Sequence, residues 1–164
     1  MVDMFDVLSF IPRCPTVREK TELDSYGALV LSAVGDGVHT LFLRCALSAV
    51  FRYRPEDLHK EVSRFARAEA QCEALKKIEP ILNEEEMQIV KRGRNAHPHN
   101  IPKHATQYEY RAASGFEALT GYLYLSGRGD RLGELFDTIY GETFSGLLVS
   151  DTQTEEIKKN KEGN

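Results

Sequence analysis

Asp36 and Glu117 are the residues of this chain whose type and setting point most directly to chemistry. Each stands in a helix-like stretch, Val34-Gly35-Asp36-Gly37-Val38 and Gly115-Phe116-Glu117-Ala118-Leu119, and between them runs the basic segment Lys91-Arg92-Gly93-Arg94-Asn95. A carboxylate in an apolar setting is costly unless a cation, a hydrogen-bond donor or a proton accompanies it. A hard ion such as Mg²⁺ takes oxygen ligands of this kind. A carboxylate pair beside a basic loop therefore suggests metal-dependent chemistry on a polyanion.

The helical neighbours of the two acids differ. Asp36 shares a face with Leu29, Ser32, Ala33, His39, Thr40 and Leu43, which is mostly apolar. Around Glu117 the residues three and four positions away are Ala113, Ser114, Thr120 and Gly121, all small, leaving room for an ion, water and a phosphate. His39 suits either proton transfer or packing. Taken singly, an Asp or Glu on an amphipathic helix ordinarily serves its helix face or an ion pair, and Lys or Arg in a last turn complements the helix dipole. His97, His99 and His104 fall in a loop interrupted by Pro98 and Pro102, where no helical register would align them as metal ligands.

Composition narrows the class. A chain of 164 residues forms one domain most economically, burying roughly two thirds of the surface of its unfolded form. A formal net charge of −4 means that any nucleic-acid site has to be local. The local excess is present: from Lys91 to Tyr108 stand Lys91, Arg92, Arg94 and Lys103 with three histidines and no acid. Cys14, Cys45 and Cys72 lack Cys-x-x-Cys spacing and read as reduced thiols. The acidic start Met1-Val2-Asp3-Met4-Phe5-Asp6 is unlike a signal peptide, and no apolar run approaches the ~20 residues of a membrane span. A cytoplasmic protein without a membrane partner is expected.

The elements that must position these residues read as helices throughout. Prolines at 12, 15, 55, 80, 98 and 102 leave long intervals for unbroken helix. The first runs from about Asp24 to Tyr53, with Leu29, Ala33, Val34, Leu41 and Phe42 in helical period. Gly35 and Gly37 cost it about 1 kcal/mol each relative to Ala, so close packing or access to Asp36 has to matter more there. A second helix is expected from Pro55-Glu56-Asp57 to about Ile78. A third starts at a capping box of Asn83 and Glu86 and ends near Arg94. Residues 96 to 105 form a loop; Thr106 and Glu109 then cap a fourth helix ending near Ser126-Gly127, and a fifth spans about Asp130 to Leu148. From Thr152 the chain has almost no apolar content, so residues 149–164 are expected as a disordered tail.

The stretches Leu31 to Arg44 around Gly35-Asp36, Pro55 to Lys60, Lys91-Arg92-Gly93-Arg94-Asn95-Ala96, and Tyr110 to Leu125 around Phe116-Glu117-Ala118-Leu119 together resemble Mini-III ribonuclease in order and spacing. This group is similar to the ribonuclease III catalytic domain without its double-stranded-RNA-binding domain. The resemblance covers about residues 23 to 141. It implies an N-terminal extension over 1–22 and an all-α endonuclease domain over 23–148 that pairs as a two-fold homodimer. The extension mixes apolar residues with two prolines, and its sequence leaves packing and mobility both open.

Functionally, the resemblance implies Mg²⁺-dependent hydrolysis of double-stranded RNA, with Mn²⁺ as a substitute, leaving 5′-phosphate and 3′-hydroxyl ends. Asp36 and Glu117 match the family's metal-site acids. Such chemistry needs no nucleophilic side chain, because the ion polarises the phosphodiester and lowers the pKa of an attacking water. Without a separate RNA-binding domain, Lys91, Arg92, Arg94, Asn95 and Lys103 are the residues suited to grip the phosphates and sugars of an A-form duplex. The implied substrate is precursor large-subunit (23S) ribosomal RNA, and the implied partners include a second copy of this chain and a ribosomal protein.

Longer members of the family carry further acids four residues before the first motif acid and three before the second. This chain has Ser32 and Ser114 there, so these serines and His39 stand as supporting residues around the carboxylates. A serine can at best hold a metal-bound water. The substitution leaves open a second reading, a catalytically silent dimeric module of the same fold that binds RNA or ribosomes.

Overall fold

The computed structural model describes residues 6–50, 54–96 and 105–162, with side chains described to residue 147. Seven α-helices order these residues: α1 (Lys20–Asp24), α2 (Ala28–Val50), α3 (Pro55–Ala66), α4 (Ala68–Ile78), α5 (Glu84–Asn95), α6 (Gln107–Leu125) and α7 (Gly129–Glu162), with 3₁₀ turns at Val7–Phe10 and Glu79–Ile81. No strand occurs among the described residues. The expected all-α class is what forms.

Helix α6 is the centre. From Ala112 to Leu123 every residue is buried except Glu117, which is partly exposed. A helix apolar on all sides belongs in the middle of a bundle, and α2, α4 and α5 pack around this one. Its start is fixed by the expected box: Glu109 N–H donates to Thr106 Oγ1 at 3.1 Å, while Thr106 N–H donates to the Glu109 carboxylate at 2.8 Å. The Asn83 and Glu86 box likewise opens α5. Glu86 is 1 % exposed and Arg131 of α7 donates to both of its oxygens, at 2.8 and 2.9 Å. One carboxylate thus caps α5 and ties it to α7.

Boundaries depart from the sequence reading in three places. The second expected helix is two, because Arg67 is extended (φ −67°, ψ 153°) and serves as the N-cap of α4. The split turns Val62 and Phe65 of α3 and Cys72, Leu75 and Ile78 of α4 toward one core, which a single straight helix would not do. α2 begins at Ala28, later than expected, and its expected end near Tyr53 lies outside the described residues. α7 is longer, running to Glu162 through the segment expected as a disordered tail. Residues 152–162 contain no Pro or Gly to interrupt it.

Two more points bear on the site. The described part of the N-terminal extension packs: Val7 is 2 % exposed, Arg18 N–H donates to the Leu125 carbonyl at 2.7 Å, and Tyr124 Oη donates to the Arg13 carbonyl at 3.3 Å. α2 is more apolar than its core face requires. Contrary to expectation, Ala28–Ala49 is long and apolar enough to cross a membrane by composition, with a mean hydropathy of 1.3. Leu31, Val38, Phe42, Leu43, Ala46 and Leu47 enter the core, whereas Leu29, Val30 and Leu41 are about half exposed.

Candidate active site

Asp36 and Glu117 are brought together by the contact between α2 and α6. A Cβ on Gly35 would fall on the carbonyl oxygen of Glu117, and a Cβ on Gly121 would fall on that of Leu31. Glycine at both positions lets the two backbones touch. Ser32 fastens the same contact, its hydroxyl donating to the Ser114 carbonyl at 2.9 Å with both serines buried. Ser32, expected as a supporting residue of the carboxylates, thus holds α2 on α6.

The two acids are not alike. Asp36 is exposed, correcting the expectation of a buried carboxylate: its face-mates Leu29 and Ala33 are exposed too, while Ser32, His39 and Leu43 turn inward. Glu117 is the more enclosed. Burial first, and the negative charge of Asp36 second, push its carboxyl up from 4.5 to about 7, against a hydrogen bond donated by Gln71. A carboxylate pair with one offsetting amide lacks positive charge.

Behind Glu117 lies a polar chain that crosses the core. Gln71 of α4, 1 % exposed, has its amide nitrogen 3.4 Å from His39 Nδ1. His39 Nε2 is 2.6 Å from Tyr140 Oη of α7. Phe116 meets the imidazole edge-on at 5.0 Å between ring centroids, and Phe136 does so at 5.7 Å. Burial alone lowers the His39 pKa to about 3 and raises that of the Tyr140 hydroxyl. His39 is neutral at physiological pH, which favours packing over proton transfer.

Gln71 and Tyr140 escaped the sequence reading. One signal was available for Gln71: it occupies the register of Leu75 and Ile78, core positions of α4, where an amide needs a reason to be buried.

The donor set of the site fits a hard cation. Two carboxylates from different helices supply anionic oxygen, the ligand type of Mg²⁺, which keeps several waters when few protein ligands are offered. No group of three or more His, Cys, Asp or Glu forms a metal cluster among the described residues. The pair, not a cage, is what the chain provides there.

The basic segment forms the last turn of α5, and its members point different ways. Lys91 and Asn95 are exposed. Arg92 donates to the Tyr26 carbonyl at 2.7 Å, and Arg94 pairs with Glu79 at 3.2 Å. Gly93 lies against Ser114 and Gly115 of α6, which sets this turn next to the helix carrying Glu117. Lys103, with the three loop histidines, lies outside the described residues.

Comparison with known proteins gives one consistent answer. The Ribonuclease III domain family matches residues 29–128. A Mini-ribonuclease 3 of Thermoanaerobacter sp. is 42% identical over 113 residues, 69% of this chain and 80% of the relative. A Mini-ribonuclease 3 of Brevibacillus brevis is 42% identical over 119 residues, 70% of this chain and 89% of the relative. Among solved structures, a Fusobacterium nucleatum protein at 29% identity has a TM-score of 0.65, covering 72% of this chain and 94% of its own.

Proposed function

The chain belongs to the ribonuclease III family and is an endoribonuclease of that family, and from this we propose that it cleaves double-stranded RNA at Asp36 and Glu117 in a Mg²⁺-dependent reaction. The observation that carries the proposal is the pairing of those carboxylates. Glu117 is the one partly exposed residue in a buried stretch of α6, and the charge of Asp36 reaches it. Asp36 and Glu117 would hold Mg²⁺, with Mn²⁺ as a substitute. When bound, the ion would supply Lewis acidity for a hydrolysis that leaves 5′-phosphate and 3′-hydroxyl ends.

The chain's other residues position the duplex. Lys91 and Asn95 face solvent on the turn of α5 beside α6, an arrangement that supports contact with phosphate and ribose. Lys103 joins them as a proposed contact. Arg92 and Arg94 have partners within the protein and first of all shape this turn; their remaining donors extend its positive charge.

A two-fold homodimer completes the reading. Leu29, Ala33 and Leu41 follow one another at intervals of four and eight positions on the exposed side of α2 that carries Asp36, and Val30 widens the patch. Apolar surface of this kind supports a second copy packing along α2. The biological duplex is precursor large-subunit ribosomal RNA in the cytoplasm, presented with a ribosomal protein; the likeness to Mini-III ribonuclease is the support for that part.

Incubating the purified chain with a long RNA duplex, in Mg²⁺ or in EDTA, tests the proposal. Cleavage with Mg²⁺ alone is expected, and Asp36→Asn and Glu117→Gln should each abolish it while the RNA is still bound. Turnover in either variant would end the two-carboxylate assignment. Binding without cleavage by the unaltered chain would select the silent module.

A further inference from the structure

The buried chain of polar side chains behind Glu117 has no role in the reading above. It joins four helices: Glu117 on α6, Gln71 on α4, His39 on α2 and Tyr140 on α7. Gln71, His39 and Tyr140 are 1 %, 0 % and 4 % exposed, so none is there to meet water. Buried polar groups of this kind persist where each satisfies the next.

With Glu117 ionised, the hydrogen bonds admit one consistent arrangement. The Gln71 amide nitrogen has two hydrogens. One goes to the Glu117 carboxylate and the other faces His39 Nδ1 at 3.4 Å. Nδ1 then accepts, which places the imidazole proton on Nε2, and Nε2–H donates to Tyr140 Oη at 2.6 Å. Reversing the amide would aim its carbonyl oxygen at the ionised carboxylate, two acceptors face to face, so the ring signals are to be read above pH 8. Shifting the imidazole proton to Nδ1 would set it against the amide hydrogens.

We propose that Gln71 is a positioning residue for Glu117, its amide held in the donating orientation by the His39 and Tyr140 pair so that the carboxylate presents its oxygens toward Asp36. The inference rests on the reading of Asp36 and Glu117 as the metal-binding pair. Gln71 touches neither RNA nor ion in this scheme; it acts through Glu117. Groups that orient a metal-binding side chain typically change metal affinity by roughly 10- to 100-fold when removed.

The test uses Gln71→Met, close in volume and without a donor, and Tyr140→Phe, which leaves Gln71 in place. In metal-free unaltered protein, the ¹⁵N signals of the His39 ring should show a protonated Nε2 and an unprotonated Nδ1. Gln71→Met should give a mixture of tautomers and lower the Mn²⁺ affinity measured by calorimetry by roughly 10-fold or more. Tyr140→Phe should mix the tautomers with a smaller loss of affinity. If Gln71→Met does not fold, Tyr140→Phe decides by the same two readouts. A folded variant with the original tautomer and Mn²⁺ affinity overturns the proposal. If the unaltered chain binds no Mn²⁺, the metal-site reading falls, and the ring signals still decide whether Gln71 orients His39.

Discussion

Gly35 stands where its missing Cβ would coincide with the carbonyl oxygen of Glu117. The residue next to the first carboxylate therefore touches the backbone of the second, and the separation of Asp36 from Glu117 is set by contact between two helices. Loops play no part in it.

Gly35→Ala should cost more than helix propensity returns. Alanine in a helix gains up to about 1 kcal/mol over glycine, but overpacking against a rigid backbone typically costs about 1–3 kcal/mol, and here the obstacle is a carbonyl. A lowered urea midpoint and a larger fall in cleavage are expected. Gly146→Ala is the control, since nothing lies within 4 Å of its added Cβ; it should be neutral or slightly stabilising. Equal effects at both sites would mean that α2 and α6 are not held at contact distance.

Local signals and long-range contacts explain which parts were legible in the sequence. Asn83 with Glu86 and Thr106 with Glu109 cap their helices as their three-residue spacing requires, because a capping box is decided within one turn. The tight packing at Gly35 was readable as a cost in propensity that something had to repay. The break at Arg67 was not, since Ala66-Arg67-Ala68 favours helix and the bend answers to the core. Asp36 and Glu117 stand out in the sequence through their motifs, yet the exposure of Asp36 depends on how much of α2 the core covers. Gln71 was missed because its partners are 32 and 46 residues away in the sequence.

The basic turn of α5 should divide under mutation. Lys91 is exposed, and removing it should change stability by no more than about 0.5 kcal/mol. Lys91→Ala should weaken RNA binding and reduce its salt slope by about one. Arg92→Ala removes the donor to the Tyr26 carbonyl and should also cost about 1 kcal/mol of stability. Binding titrations across a salt series, with urea unfolding of each variant, separate the two. An unchanged salt slope in Lys91→Ala would take that side chain off the RNA surface.

Replacing Leu29 and Leu41 together by Glu should yield a folded monomer. Both side chains are about half exposed in the single chain, at 49% and 47%, so the fold loses little when they become charged. Light scattering would show the halved mass and circular dichroism the retained helix. A dimer of unaltered stability would place the subunit contact elsewhere.

Stability against pH offers a test of the carboxylate pair that needs no RNA. In metal-free protein the Glu117 carboxyl is raised from 4.5 to about 7 by burial and then by Asp36. A raised group contributes its full stability below 4.5 and loses it as pH rises through 7. His39, lowered from 6.5 to about 3 by burial, works in the other sense: its contribution is complete above 6.5 and is lost as pH falls toward 3. Between pH 4.5 and 6.5 the two slopes oppose each other. Glu85, held down to about 2 by Arg128 and Lys20, acts below this window. The unaltered protein should therefore change little across it from these two groups, while Glu117→Gln should lose stability with falling pH by up to about 1.4 kcal/mol per pH unit. Urea unfolding in EDTA at pH 4.5, 5.5 and 6.5 measures both. Parallel curves would show that Glu117 titrates as an ordinary surface carboxylate. Adding Mg²⁺ at pH 6, where most of Glu117 is protonated, should release protons, seen as a binding heat that varies with the ionisation enthalpy of the buffer. At pH 8.5 that dependence should vanish, because the carboxylate is already ionised there.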